Sequence, residues 1–376
     1  MLEDREPGTV VRLTAPYPEL STLGGASHVC LSIEAGAESE DLLASLAALA
    51  PAAVSQGPAG SILLEGKLAD LLGRAGVARS GRQDGEPLIA VREALERLSS
   101  PAPALRVGQS VWEFGDRTYL LGVVNVTPDS FSGDGVGGSP EAAVARALRL
   151  VAEGADAIDL GGESTRPGHQ PVAADEELGR VLPALELIAA EVAVPIFVDT
   201  SKSEVAKAAL AAGAHGVNDI WGLRRDPDMA QVVADATVPV ICMHNHIGTQ
   251  YLDLMRDLLA GLKQSLRLAE AAGIPRDRVV LDPGIGFGKG PAQNYQVLRR
   301  LCELRTLGCP ILVGTSRKSL IGWLLDGRPV EGRLMGTAAT VAWSITAGAD
   351  IVRVHDVAEI RDVTRVIDAL IRRPPG

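Results

Sequence analysis

From residue 119 onward, short apolar segments recur along the chain, and each leads into a polar group able to bind or react. LLGVV ends at Asn125, GADAIDLGG carries Asp159, PIFV ends at Asp199, and HGV leads to Asn218 and Asp219. VPVICM runs to His244, VVL to Asp282, PILVGT to Ser316, Arg317 and Lys318, and IVRV interleaves Arg353 with His355. Between them lie stretches of helical spacing: EAAVARALRLVAEG, EELGRVLPALELIAA, EVAKAALAAG, DMAQVVADA, residues 251–272, QNYQVLRRLCEL, GTAATVAWSITAG and residues 357–371. Short buried strands alternating with amphipathic helices imply a parallel sheet. Polar strand ends gathered on one face predict the α/β class and a (β/α)8 TIM barrel. Gly recurs before GADAIDL, GAHGVND and GADIVRV, where a left-handed residue ends a helix.

The first hundred residues read differently. TVVRLT, HVCLSI and SILLEG have the look of strands, and EDLLASLAALA and residues 87–98 that of helices. They predict an additional small N-terminal α/β module over residues 1–98, without a cluster of reactive groups. SSPAPAL cannot continue a helix through its prolines, so residues 99–108 read as a linker and 109–376 as the barrel. VWEF and TYLLGVV flank Gly115, Asp116 and Arg117, a spacing that predicts a hairpin leading into the first barrel strand.

At 376 residues the chain holds one barrel of about 250 residues and a further module. A net charge of -11, without a basic run, excludes a nucleic-acid partner held by phosphate contacts. An anionic ligand then needs a local cluster of Arg, Lys or metal. No C-x-x-C pair occurs among the four cysteines, so they read as reduced core thiols. The acidic start MLEDREPG lacks an apolar h-region, and no run of about 18 apolar residues could span a membrane. A cytoplasmic protein is the expectation. GIGFGKG lacks the spacing of a P-loop and does not fit GxGxxG. His244-x-His246 lacks a third ligand nearby, so His244 reads as structural, beside Met243 at a pocket floor. Arg224 and Arg225 read as solvated surface.

NVTPDSFSGDG (125–135), DLGGESTRPG (159–168), VDTSK (198–202), DPGIGFGK (282–289) and GTSRKS (314–319) occur in order, with VND, MHN and RVHD between or after them. Over residues 119–371 this series resembles the dihydropteroate synthases, of the pterin-binding barrel family. The resemblance implies a transferase of folate biosynthesis. It would condense 6-hydroxymethyl-7,8-dihydropterin pyrophosphate with p-aminobenzoate, giving 7,8-dihydropteroate and pyrophosphate. Two other readings stay open: a methyltetrahydrofolate-corrinoid methyltransferase and a catalytically inactive pterin-binding paralogue. Ser-Thr-Arg-Pro, Ser-Arg-Lys-Ser and Arg-x-His favour the synthase.

A pterin edge is dense with donors and acceptors, which carboxylates and a carboxamide can meet. The resemblance gives that task to Asp199, Asn218 and Asp282, although an Asp at such a place also reads as a helix cap. Only six of the 36 basic residues are lysines, so Lys318 stands out in a chain that prefers Arg. The resemblance puts Lys318 against the pterin and Ser319 on the carboxylate of the second substrate; a Schiff-base lysine is the rival. Arg353 and His355 are two apart on one strand and point to the same side, which suits a phosphate and, by resemblance, the pyrophosphate. Lys318, Arg353 and His355 are the catalytic candidates. By resemblance Phe131, Thr165, Arg166 and Pro167 surround the aminobenzoate from Gly-rich loops that close over the site. Phe287 lines the pterin pocket with Met243, and Asn125 binds Mg²⁺ with Asp159 behind it. The partners are then small-molecule substrates, with no nucleic acid and no membrane. Many such barrels are dimers, which leaves a homodimer open.

Overall fold

The eight apolar strand segments form one parallel sheet. In chain order they are strand 1 (Tyr119–Asn125), strand 2 (Ala157–Gly161), strand 3 (Ile196–Asp199) and strand 4 (Gly216–Asp219). Strand 5 (Val240–Met243), strand 6 (Val279–Asp282), strand 7 (Leu312–Val313) and strand 8 (Ile351–Val354) follow. Neighbours in the sheet run 6-5-4-3-2-1-8-7, and a parallel bridge from Leu281 to Ile311 joins strand 6 to the segment entering strand 7. That bridge closes the sheet, so the architecture is the expected (β/α)8 barrel. In a computed structural model of the chain, the described residues are 10–13, 28–34, 43, 46, 54–56, 62–67, 70–71, 86–127, 139–163 and 172–372.

Local chemistry sets the helix limits. Ser139 accepts Ala142 N, Pro140 occupies the first helical turn, and Gly154 ends that helix at φ 106°. The long helix begins at Leu254, three residues beyond Tyr251, because Asp253 caps the amides of Met255 and Arg256. QNYQVLRRLCEL does not run as one helix. Pro291–Arg299 is α-helical, and Leu301–Leu307 continues as a 3₁₀ turn. Leu301, Leu304 and Leu307 are all buried, and their spacing of three matches the 3₁₀ period.

The predicted hairpin is displaced. Leu105–Val107 pairs with Ser110–Trp112, whereas VWEF and TYLLGVV do not pair. The reason lies in the closed sheet: both edges of strand 1 are taken, by strands 2 and 8. Tyr119 stacks on Trp112 at 4.7 Å, and Trp112 lies 6.4 Å from Phe197, so the hairpin's aromatic ring packs at the start of the barrel strands. Phe197 fills the interior. A Cβ at Gly216 would lie 2.4 Å from its ring, so the strand opposite must carry glycine there.

The chain divides into two compact units: Met1–Ala102 with Cys302–Gly308, and Pro103–Leu301 with Cys309–Gly376. In the first, strands Val10–Leu13, His28–Glu34, Ile62–Lys67 and Val54–Gln56 lie in that spatial order, all antiparallel. Helix Glu86–Ser99 buries Val91, Ala94, Leu95 and Leu98, one stripe at helical spacing, in the same core as Leu31, Ile33, Ile62 and Leu64. Arg305 donates to Ser100 O at 3.2 Å, and Arg97 to Thr306 O at 3.4 Å, which ties residues 302–308 into this unit. Cys242, Cys302 and Cys309 are buried thiols outside any disulfide among the described residues. Among the described residues no helix is long and apolar enough to cross a membrane.

Where strand 1 begins, Asp368 accepts both Thr118 N (2.7 Å) and Thr118 Oγ1 (2.8 Å). Asp368→Ala strands a buried amide, a loss of about 1–3 kcal/mol. Urea denaturation should show that drop while steady-state activity holds. Unchanged stability would mean that water replaces the carboxylate.

Candidate active site

The barrel register draws the first line of the site. Asn125 lies opposite Gly161, Gly161 opposite Asp199, and Asp199 opposite Asn218. Strands 1 to 4 thus contribute one row at their carboxyl ends. Gly161 keeps the row open, since a Cβ there would stand 3.5 Å from both Asn125 Oδ1 and Asp199 Cβ. Asp159 precedes Gly161 by two residues, so it shares that side of the sheet. Arg353 reaches this row from strand 8. Its Nε donates to Asp159 Oδ2 and its Nη2 to Asp199 Oδ2 at 2.8 Å. Asn218 Nδ2 donates to Asp159 Oδ2 at 3.0 Å.

Two carboxyl groups share one guanidinium, so this buried trio is neutral while Asp199 holds its proton and carries one negative charge when both are ionised. Asp159 Oδ1 and Asp199 Oδ1 are buried without a hydrogen-bond partner among the described residues. Such acceptors are rare in folded proteins and costly to leave unmet. Burial raises the Asp199 carboxyl to about 8; the nearby Asp159 charge adds to the rise, and Arg353 opposes it. Both free oxygens are therefore placed to accept N–H groups from a ligand.

Asp282 closes the other side, at the end of strand 6. Its Oδ1 accepts Gly284 N at 2.7 Å. Burial raises this carboxyl, and the Lys318 charge pulls it back. Lys318 donates to Ile285 O, and its ammonium sits 4.8 Å from the centre of the Phe287 ring. Burial lowers Lys318 to about 8, so it stays mainly protonated at neutral pH, which disfavours the Schiff-base reading. Gly314 lies between the two cations: a Cβ there would stand 3.6 Å from Arg353 Cβ and 3.7 Å from Lys318 Nζ. Met243 is buried, with its Cγ 3.3 Å from the Cβ position of Gly284.

The SRKS loop is held by its own backbone. Arg317 adopts φ 56°, unusual for a residue with a side chain. Its amide donates to Thr337 Oγ1 at 3.0 Å, its carbonyl accepts Arg333 Nη1 at 2.9 Å, and its guanidinium pairs with Asp356. Ser316 Oγ lies 2.9 Å from His355 Nδ1 and accepts His355 N at 3.1 Å. Ser319 is exposed at the first residue of helix Ser319–Leu324.

Asn125, Asp199, Asn218 and Arg353 therefore meet around one row, and Asp282, Met243, Phe287 and Lys318 meet around the loop after strand 6. His355 is joined to the SRKS loop, whereas Arg353 is engaged by carboxylates. Phe131, Thr165, Arg166 and Pro167 lie outside the described residues. Arg224 is not solvated surface. Its Nη2 donates to Asn245 O at 2.8 Å and its Nε to Trp221 O at 3.1 Å, because Asp219 accepts the amides of Trp221 and Leu223 and turns the chain inward. Arg225 alone stays exposed. Sequence reasoning also passed over Lys202, whose ammonium pairs with Glu163 and with the buried Glu177, and over Lys289, buried beneath the loop after strand 6. The scarcity of lysine that marked Lys318 marks both of these equally. Among the described residues no group of three or more His, Cys, Asp or Glu could hold a metal ion. Asn125 could supply one amide oxygen to a cation that takes most of its ligands from water and phosphate.

A family model described as pterin binding enzyme matches residues 121–355. The dihydropteroate synthase of Clostridium beijerinckii is 44% identical over 270 residues, 72% of this chain and 100% of that protein. The Bacillus subtilis dihydropteroate synthase is 46% identical over 264 residues, 70% of this chain and 92% of its own length. The solved structure of the Xanthomonas albilineans dihydropteroate synthase in complex with 7,8-dihydropteroate superposes with a TM-score of 0.64 at 40% identity, covering 72% of this chain and 98% of that one. With 4-aminobenzoic acid, the same organism's enzyme superposes at 0.67, with 44% identity and the same coverages.

The raised carboxyl of Asp199 carries a stability signature. An unfolded Asp titrates near 4, whereas the folded group holds its proton up to about 8. Between these values the folded state binds the extra proton, so the contribution of Asp199 to stability falls as pH rises through the window. Asp199→Asn should therefore be more stable than the parent by ~1–3 kcal/mol at pH 8. The gain should vanish near pH 4. Urea melts at the two pH values test this, and an equal gain at both would refute it.

Proposed function

The chain belongs to the pterin-binding enzyme family and catalyses the dihydropteroate synthase reaction, and on that premise we propose that its buried strand-end carboxylates hold the pterin while Arg353 and His355 receive the leaving pyrophosphate. The two unpartnered oxygens, Asp159 Oδ1 and Asp199 Oδ1, carry this reading. They are acceptors in want of N–H donors, which the amide and amino edge of a pterin supplies. Asn218 donates to the same Asp159 oxygen as Arg353 and offers its own carboxamide oxygen. Asp282 meets the ring from strand 6, with Met243 and Phe287 supplying apolar contact.

In the reaction, the bond from the pterin methylene carbon to the pyrophosphate oxygen breaks, and the pair of electrons leaves with the pyrophosphate. The methylene becomes cationic. With both carboxylates ionised, the trio of Asp159, Asp199 and Arg353 is net negative and favours that cation over the neutral substrate, and the developing cation in turn favours loss of the Asp199 proton. Arg353 uses two of its five N–H groups on carboxylates, so three remain for phosphate oxygens. The aniline nitrogen of p-aminobenzoate then forms the new C–N bond and releases a proton. Phe131, Thr165, Arg166, Pro167 and Ser319 are the residues we assign to that second substrate, on their motifs. The chemistry needs neutralisation of a leaving group and positioning rather than a protein nucleophile. Mg²⁺, when bound, would add charge to the pyrophosphate, with the Asn125 amide oxygen as its protein ligand.

The pair of helices Ser319–Leu324 and Leu334–Thr346 supports a homodimer. They cross closely, since a Cβ at Gly336 would lie 2.3 Å from Ile321 Cγ2. They leave Trp323, Leu324 and Met335 exposed at 56%, 57% and 78%. Large apolar side chains left exposed on neighbouring helices favour an interface. Buried cysteines held as thiols support a cytoplasmic location, which cell fractionation would check.

Pyrophosphate release from dihydropterin pyrophosphate with Mg²⁺ should depend on p-aminobenzoate, and Lys318→Ala should lose ~10²–10³-fold in kcat. Pterin binding without release would leave an inactive paralogue. In sedimentation, the parent chain should run as a dimer and the Trp323→Glu, Met335→Glu double variant as a monomer. A parent that is monomeric at micromolar concentration removes the interface.

A further inference from the structure

The segment Gly284–Gly288 alternates glycines with Ile285 and Phe287, and its three glycines have φ of 69°, 86° and 56°. At Gly284 a Cβ would lie 2.0 Å from His244 O, and at Gly288 one would lie 2.4 Å from His246 O. The loop therefore rests directly on the backbone that follows strand 5, with no room for side chains between. The carbonyl of Ile285 faces Lys318. The carbonyls of Gly284 (3.1 Å) and Phe287 (3.0 Å) face Lys289 Nζ.

Lys289 is buried, and its ammonium also lies 3.1 Å from His244 Nδ1 and 3.5 Å from His244 O. Burial, with the neighbouring cations, takes His244 down to about 2, so the ring is neutral and its Nδ1 lone pair accepts from Lys289. Burial likewise lowers Lys289, to about 7, while Asp282 opposes the shift. A neutral amine has only two N–H groups to share among these acceptors; an ammonium has three. Asn294 completes the support. It accepts Gly286 N at 2.7 Å and donates to the carbonyls of Lys289 (3.2 Å) and Gly290 (2.9 Å).

We propose that Lys289 is a positioning residue for the condensation: its buried Nζ clamps the Gly284–Gly288 loop onto His244 and thereby fixes the Ile285 carbonyl and Phe287 ring that hold Lys318. The inference rests on the reading that this loop borders the pterin. Lys289 itself touches neither substrate. Its influence runs through two backbone carbonyls to a third, and from there to the cation on the other side of the loop.

With six lysines in the chain, ¹³Cε-lysine NMR resolves each one, and Lys318→Ala assigns its own signal. In Lys289→Met the Lys318 resonance should move. KM for dihydropterin pyrophosphate should rise ~10–100-fold, the range for losing a group that orients a site residue. KM for p-aminobenzoate should stay within about twofold. Ethylammonium should restore part of the pterin KM to Lys289→Ala. An unmoved Lys318 signal, with an unchanged pterin KM and a lower melting temperature, would reduce Lys289 to a structural role and overturn the proposal. The unsubstituted protein gives a second test independent of variant folding. The ammonium protons of Lys289 should exchange far more slowly than those of exposed Lys207, and equal rates would refute the clamp. If instead the Lys318 signal moves but the unsubstituted enzyme binds pterin no better than Lys318→Ala does, the reading of the site fails while the clamp stands.

Discussion

Two buried carboxylates, Asp159 and Asp199, share the guanidinium of Arg353, and the rest of the site is arranged around that unequal sharing. A fold seeking stability alone would match charge to charge or replace the trio with apolar side chains. Here each carboxylate gives Arg353 one oxygen and keeps the other free. The register makes this possible, because Asp199 and Asn218 fall in one row and Asp159 lies one layer below on the same side. Glycine at 161 leaves the row open, and glycine at 314 lies between Lys318 and Arg353.

Three cations, unlike Arg353, Lys202 and Arg317, are held by backbone carbonyls rather than carboxylates. Lys318 rests on Ile285 O, Lys289 on Gly284 O and Phe287 O, and Arg224 on Trp221 O and Asn245 O. A carbonyl holds an ammonium in place without neutralising it. The carboxylates of the site are thereby left for a ligand, and the cations keep their charge for a phosphate. The loops that present these carbonyls need left-handed backbone, which explains the run of glycines after Asp282. Arg317 adopts a similar conformation without being glycine, and Arg333 and Thr337 at the start of one helix, with Asp356 on another segment, hold it there.

Much of this was legible in the sequence because a barrel strand is short, apolar and ends where it stops being apolar. The strand ends, and so Asn125, Asp199, Asn218 and Asp282, could be read from that boundary alone. Which residues share a row could not, since register is a relation between strands. The hairpin was misplaced for the same kind of reason: the local spacing of VWEF and TYLLGVV allows pairing, but strand 1 has no free edge. Arg224 looked like surface because an Arg pair usually is. Only the turn built on Asp219 brings it inward. In the N-terminal unit three strands were visible and the short Val54–Gln56 was not, and their antiparallel order and the joining of residues 302–308 to that core depend on contacts far apart in the chain.

A reaction that passes through a cation on the substrate asks for negative charge in a dry place, and a folded chain resists placing it there. The trio is therefore a local deficit in stability that other parts of the barrel must offset. The opposite end of the strands supplies such compensation. Trp112, Phe114 and Tyr119 pack together below the strands, Phe197 fills the interior, and Asp368 satisfies both polar groups of Thr118. In this barrel the amino ends of the strands are built for cohesion and the carboxyl ends for unmet demand. The substrate completes at the carboxyl ends what the sequence leaves incomplete. That incompleteness is why no activated serine or cysteine is needed there: the strongest interactions of the site are those reserved for the ring and its leaving group.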